Sequence, residues 1–307
     1  MEGGILDRGV SVGGSAWASA TIRYPAVVAT RTPESIESLD DPRVADYRNV
    51  RDADLRAPGL FVAEGRLNVE RLVRDSRHPV RSVFVTPAAW AAMRGCLEGL
   101  PAPVPIYSAP QSVLDGVVGY PMHRGCLAVG ERLPEQGLDG VLEVVGDGPA
   151  LLLLLEDVSN ADNVGGVFRN AMAFGVDAVL LTPRCVDPLY RKSVRVSMGG
   201  SLVLPFARVA AGVATLEKLR AADFCVAALA TDSDAIALSA WRPQPPAPER
   251  VVLVLGAEGP GLSAATREAA DLRLRIPMAR GADSLNLYSA AAIAIHHLTA
   301  VLRGSVS

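Results

Sequence analysis

The chain has 307 residues, half of them apolar, and a formal net charge of −3; that leaves room for two compact domains, each with its own core, in a composition typical of α/β proteins. The longest apolar run near the middle, Leu151 to Leu155, stops far short of the roughly 20 residues that span a bilayer, and the first thirty residues carry no basic patch ahead of a long apolar core. The four cysteines (Cys96, Cys126, Cys185 and Cys225) and four histidines fall at neither redox nor zinc-ligand spacing, so the reading is a cytoplasmic protein with no metal.

In chain order, residues 1–35 are small and irregular in pattern, with Gly3, Gly4, Gly13 and Gly14, and read as a flexible tail or a mis-assigned start. Folded pattern is predicted from Asp40-Asp41-Pro42, an acidic cap with proline in the first helical turn, followed by Val44, Tyr47 and Val50 at helical spacing. Apolar runs at 60–63, 82–85, 104–107 and 126–129 read as strands, and Leu67–Val73, Ala88–Leu97 and Gln111–Val118 between them as helices. That alternation predicts a small, largely parallel α/β domain over 40–131. Residues 132–149, with Leu-Pro-Glu-Gln-Gly and then Gly-Asp-Gly-Pro, have the composition of a linker.

A second α/β domain is predicted over 150–307. Its strands are Leu151–Leu155, 177–182, 224–230, 251–256 and 272–276. A last helix from about Ser284 to Arg303 places Leu287, Ala291, Ile295 and Leu298 on one face. Pro243, Pro245, Pro246 and Pro248 mark an exposed loop ahead of the strand at 251.

Three segments at strand ends of this domain carry the chemistry, because ligands of open parallel sheets bind beyond the carboxyl ends of the strands. In the first, 156–169, the chain leaves a strand and enters a helix with Asn163 as its predicted cap. Gly165 and Gly166 allow a close approach of another chain or a ligand, and Arg169 projects off the apolar stripe of Val164, Val167, Phe168 and Ala171. The second, Leu255-Gly256-Ala257-Glu258-Gly259-Pro260-Gly261, has the glycine order of a backbone that wraps a ligand. That order differs from the dinucleotide G-x-G-x-x-G, and no acidic residue follows at the dinucleotide spacing. Glu258 would repel phosphate and suits a ligand bearing a cation or hydroxyls. The third is Ile276-Pro277-Met278, followed by Ser284-Leu285-Asn286 at the start of the last helix, with Ser284 as the predicted cap.

The ordered set N-x-G-x-x-x-R (Asn163 to Arg169), L-G-x-E-G-x-G (Leu255 to Gly261) and I-P-M with S-L-N (Ile276 to Met278, Ser284 to Asn286) resembles the three signature motifs of the SpoU (TrmH-like) family of the SPOUT superfamily. More loosely, Phe61-Val62-Ala63-Glu64-Gly65 and His123-Arg124-Gly125 resemble that family's small N-terminal substrate-binding domain. The resemblance implies an S-adenosylmethionine-dependent RNA ribose 2′-O-methyltransferase whose C-terminal α/β domain is tied in a trefoil knot, an exception to the rule against knots. It implies a homodimer with the active site completed across the interface. It also implies Arg169 as catalytic arginine with Asn163, Glu258 and Asn286 around it, and the cofactor held by Gly256, Gly259, Ile276, Met278, Ser284, Leu285 and Asn286. Family members often carry a serine two positions after that asparagine, where this chain has Tyr288, which puts any role of that serine in doubt here.

The expected partner is RNA, ribosomal favoured over transfer RNA, with no DNA and no membrane. The net charge weighs mildly against a nucleic acid, but phosphate binding follows local potential. Residues 184–195 hold Arg184, Arg191, Lys192 and Arg195 against the single Asp187, and arginine suits bidentate phosphate contact. The competing readings are a non-catalytic RNA-binding protein of the same fold, against which the intact Asn163, Arg169, Glu258 and Asn286 set argues, and a nucleotide-dependent oxidoreductase, which the glycine order disfavours.

Overall fold

A computed structural model describes residues 31–48, 52–123, 125–242, 247–282 and 284–303. Residues 1–30, Val50, Arg124 and three of the four clustered prolines lie outside them.

Two sheets organise the chain. The first is five-stranded: Glu34–Ser35 (β1), Leu60–Glu64 (β2), Val80–Val85 (β3), Ile106–Ser108 (β4) and Cys126–Glu131 (β5), in the order β1-β4-β3-β5-β2. The sheet is mixed rather than largely parallel, since β5 runs antiparallel to both β3 and β2, pairing Phe84 with Leu127 and Val62 with Val129. Alternation locates strands but leaves their direction open, because a helix gives a parallel pair only where the whole connection carries the chain back to the end at which the previous strand began. After the short helix Asp52–Arg56 (α1), helices Arg66–Arg74 (α2) and Pro87–Leu97 (α3) pack on the face carrying Phe61, Ala63, Val83, Val85, Cys126 and Ala128. Gln111–Val118 (α4) covers the opposite face with Leu60, Val62, Phe84, Leu127 and Val129, the strict alternation of a sheet buried on both sides. Ordered structure also starts earlier than Asp40: β1 pairs in parallel with β4, and Ile36 is fully buried. Asp41 caps the 3-10 turn Pro42–Tyr47 through Arg43 N.

Burial governs the protonation of His78, which sits against Phe61 with its Nδ1 3.2 Å from the Glu131 carbonyl. Desolvation lowers its pKa from 6.5 to about 4. The unfolded chain therefore takes up this proton near the ordinary value and the folded chain only near 4, so the contribution of neutral His78 is complete above pH 6.5 and disappears as pH falls through 4. At 1.36 kcal/mol per pKa unit it amounts to about 3 kcal/mol. Urea unfolding of His78→Gln at pH 7 and at pH 4 should show a correspondingly flatter pH slope than wild type; an unchanged slope would rule this group out.

The second sheet has seven strands, all parallel: Ala150–Glu156 (β6), Ala178–Leu181 (β7), Phe206–Arg208 (β8), Cys225–Leu229 (β9), Ile236–Ala237 (β10), Arg250–Gly256 (β11) and Leu272–Arg275 (β12), in the order β10-β12-β9-β11-β6-β7-β8. Leu151, Leu153, Leu155, Val251, Leu253 and Leu255 face Ala161–Ala173 (α6) and Leu287–Arg303 (α11). Leu152, Leu154, Val252 and Val254 face Gly137–Val145 (α5) and Val213–Ala221 (α9). The stretch 132–149, which reads as linker, therefore holds a helix that buries Leu138, Val141 and Val145 on this sheet. Its signal is masked by Gly137 and Gly140 inside it and by the Gly and Pro residues that flank it. On α11, Leu287, Ala291, Ile295 and Leu298 form the buried face that their spacing predicts.

The two sheets meet through the short helices Arg191–Val196 (α7) and Gly200–Val203 (α8), whose Val194 and Leu202 join the core under α2 and α3. Arg71 donates to the Met198 carbonyl at 2.6 Å and Ser76 to that of Leu202 at 2.9 Å. Buried Asp187 is held by Arg132 at 3.0 Å and Arg56 at 3.7 Å, so its charge is compensated.

Candidate active site

Parallel strands bring the chain to one edge after β9, β11 and β12, and a cavity opens there. It has a volume of about 620 Å³, within the range of small-molecule sites. The turn after β11 forms its wall because glycine lets the backbone fold back on itself. Gly261 N donates to the Ala257 carbonyl at 2.9 Å, and Gly259 and Gly261 adopt φ of 87° and 68°. A Cβ at Gly256 would lie 2.3 Å from the Gly261 carbonyl carbon and 2.4 Å from Leu262 N. The turn is fixed from behind by buried Glu156 at the end of β6, which accepts from Ser263 N at 3.3 Å and Thr266 Oγ1 at 3.2 Å. Those two residues start the helix Ala264–Glu268 (α10), capped by Ser263.

Gly256, Glu258, Gly259, Ile276, Met278, Ser284, Leu285 and Asn286 all line this cavity. So do Leu229, Thr231, Asp232 and Arg267, which no motif singled out. The first three stand at and just after the end of β9 and Arg267 on α10, outside the motif segments; only the rule that strand carboxyl ends build ligand sites could have pointed to residues 229–232.

Asn163 and Arg169 are not among the lining residues, and they part company. Asn163 is buried inside α6, and the helix cap is Asn160, whose Oδ1 accepts from Asp162 N at 2.8 Å; the capping role expected of Asn163 is therefore corrected. Asn163 Oδ1 instead accepts from Asn286 Nδ2 at 3.2 Å, and the same amide nitrogen donates to Glu258 Oε1 at 2.7 Å. Glu258 Oε1 accepts from Leu287 N too, at 3.1 Å, so the carboxylate sits on the N-terminus of α11, where the helix dipole favours it. Asn286 Oδ1 accepts from Tyr288 N at 3.0 Å, which makes Asn286 the cap that the sequence reading assigned to Ser284. One hydrogen-bonded chain thus ties the first, second and third segments together at the cavity's edge.

Arg169 projects from α6 into solvent, and among the described residues it has no hydrogen-bond or ion-pair partner in the structure. Gly165 and Gly166 serve packing between helices. A Cβ at Gly165 would lie 2.7 Å from Val196 Cβ on α7, and one at Gly166 the same distance from Tyr288 Cβ on α11. Much of the basic stretch 184–195 is paired: Arg184 with Asp157, Lys192 with Asp162 at 2.6 Å and Arg191 with Asp52 at 3.5 Å. The Arg184 hydrogen bond holds the Asp157 carboxyl below the ordinary carboxylate range. Among the described residues no group of three His, Cys, Asp or Glu is placed to hold a metal ion, and no helix is long and apolar enough to cross a membrane.

Residues 150–296 match the profile of the SpoU rRNA methylase family. An uncharacterized tRNA/rRNA methyltransferase of Mycobacterium tuberculosis is 40% identical over 268 residues, covering 85% of this chain and 89% of that protein. The chain belongs to the SpoU family. The 23S rRNA (guanosine-2′-O-)-methyltransferase RlmB of Bordetella pertussis is 35% identical over 184 residues, covering 60% of this chain and 73% of that one. Among solved structures, an AdoMet-bound rRNA methyltransferase from Sinorhizobium meliloti superposes with a TM-score of 0.72 at 22% identity, covering 89% of this chain and 99% of that one, a likeness of fold. In this SpoU protein the side chain at 288 is a half-exposed tyrosine packed over Gly166, and Asn170 Nδ2 donates to its carbonyl at 2.7 Å.

Proposed function

We propose that this chain transfers a methyl group from S-adenosylmethionine to a ribose 2′-hydroxyl of structured RNA, ribosomal RNA before transfer RNA, in the cytoplasm. The observation that carries the reading is the Asn163–Asn286–Glu258 chain at the lip of a glycine-walled cavity, in a fold whose relatives are RNA methyltransferases. The cavity suits the donor chemically. Gly256, Gly259 and Gly261 put no side chain on the wall, so a planar base can approach the backbone closely, and Ile276, Leu285 and Leu287 offer aliphatic surface to its ring. When bound, the donor supplies a sulfonium methyl, already activated toward displacement.

The protein's share is then to orient the hydroxyl and help it lose a proton. Arg169, a cation in solvent with no acid beside it, is suited to grip a phosphate and stabilise the developing oxyanion. Asn163 and Asn286 fix the adjacent turn, and Glu258 holds Asn286 and the start of α11 in register. Because Arg169 stands outside the cavity, we assign it to the site of a second copy. Tyr288 and Ile293 on α11 are large apolar side chains exposed at 40% and 44%, surface that a homodimer would cover. The first sheet, with residues 40–131, is proposed as the RNA-binding domain.

The test is methyl transfer from labelled S-adenosylmethionine to total rRNA and, separately, total tRNA. Alkali-resistant label in rRNA is the expected result. Label only at bases, or no binding of the donor at all, would overturn the reading.

A further inference from the structure

Two charged side chains of the cavity have no part in the network at its lip: Asp232, in the turn after β9, and Arg267, on α10. They pair with each other, Arg267 Nη1 to Asp232 Oδ1 at 2.9 Å. Neither is saturated. Asp232 Oδ2 meets Arg273 Nη1 only at 3.9 Å. Arg267 donates no second hydrogen bond among the described residues, and its Nε is buried without a partner. Both side chains stay partly open, Asp232 at 24% and Arg267 at 40%, and both also line an adjoining recess with Asp234, Glu268 and Arg273.

We propose that Asp232 and Arg267 receive the amino-acid end of the methyl donor, the carboxylate taking its ammonium group and the guanidinium its carboxylate. The inference rests on the methyl-donor reading given above and deepens it. Adenine and ribose are uncharged, and the walls at 256–261, 276–278 and 284–287 meet them with backbone and aliphatic groups. The ligand's zwitterionic end needs one anion and one cation side by side. Glu258 is already engaged by Asn286 and α11, which leaves this pair as the match. The pair also selects against other adenosine ligands: a nucleotide's phosphates would bring net negative charge against Asp232, whereas a zwitterion satisfies both partners with charge-assisted hydrogen bonds.

Titration calorimetry on the full chain, with S-adenosylmethionine, S-adenosylhomocysteine and 5′-methylthioadenosine, tests this, because the last lacks the amino-acid end. Wild type is expected to bind S-adenosylhomocysteine at least about tenfold more tightly than 5′-methylthioadenosine. Asp232→Asn and Arg267→Gln should each weaken S-adenosylhomocysteine by roughly ten- to a hundredfold while leaving 5′-methylthioadenosine within about twofold. Equal wild-type affinities for the two, a comparison independent of how any variant folds, would overturn the proposal. So would a parallel loss of both ligands in variants that unfold at the wild-type temperature. Wild type binding none of the three compounds would instead sink the methyl-donor reading on which the inference stands.

Discussion

Arg169→Ala is expected to lower the rate of methyl transfer by about two to three orders of magnitude, the scale seen when one preorganised donor to a developing oxyanion is removed. The same substitution should leave the affinity for S-adenosylhomocysteine unchanged, because Arg169 is not part of the cavity wall. It should also leave the unfolding temperature within a degree or two, since an exposed helical side chain without partners contributes within about 0.5 kcal/mol. The split matters: a loss in turnover alone places the arginine at the reacting atoms, and a parallel loss in affinity would make it part of the cofactor site. Arg169→Lys keeps the charge but not the planar fork and should fall between. If the arginine acts on the neighbouring copy, mixing Arg169→Ala with Asn286→Ala protein should restore part of the activity, because each mixed dimer rebuilds one complete site. Full activity in Arg169→Ala would remove it from the mechanism.

How much of this was legible in the sequence follows from what is local. The β6 and β11 strands read directly, as unbroken Leu and Val runs that only a sheet covered on both faces requires. β1, β8 and β10, at two or three residues each, fall below any periodic signal and exist because a neighbouring edge offers pairing. The direction of β5 was hidden because it depends on whether the connection through α4 carries the chain back along the sheet, which the local pattern does not encode. In the site, residues contiguous in sequence were found together: Gly256, Glu258 and Gly259 in one turn, Leu285 and Asn286 in another. The specific roles were not local. Asn163 and Ser284 look like caps because each polar side chain precedes an apolar stripe. The capping falls to Asn160 and Asn286, because helix starts are set by where the preceding turn is anchored. Glu258 lines the cavity, but its second part, holding the start of α11, was not legible, because the amide and the backbone N–H on its carboxylate come from Asn286 and Leu287, far along the chain. Asp232 and Arg267 meet only in space.

Gly256→Ala should weaken cofactor binding strongly, and by packing alone. The added methyl would stand 2.3 Å, 2.4 Å and 2.6 Å from the Gly261 carbonyl carbon, Leu262 N and the Gly261 oxygen. These are backbone atoms, so no rotamer change relieves them. The turn cannot simply retreat, because Leu262 is buried under the sheet and Ser263 is tied to Glu156. The strand end cannot retreat either, since Gly256 is in register with Glu156 on β6. Overpacking of this kind costs about 1–3 kcal/mol in a fold that tolerates it, and here the shift falls on the wall of the cavity. We expect S-adenosylhomocysteine affinity to drop by at least about a hundredfold, a loss of roughly 2.7 kcal/mol, with a fold that remains cooperative. Gly259→Ala is the contrast. Nothing lies within 4 Å of its Cβ, and its φ of 87° imposes only local backbone strain, about 1–2 kcal/mol. It should therefore weaken binding by far less than Gly256→Ala. If calorimetry ranks the two variants the other way round, conformational freedom of the turn governs the site, and the close approach at Gly256 does not.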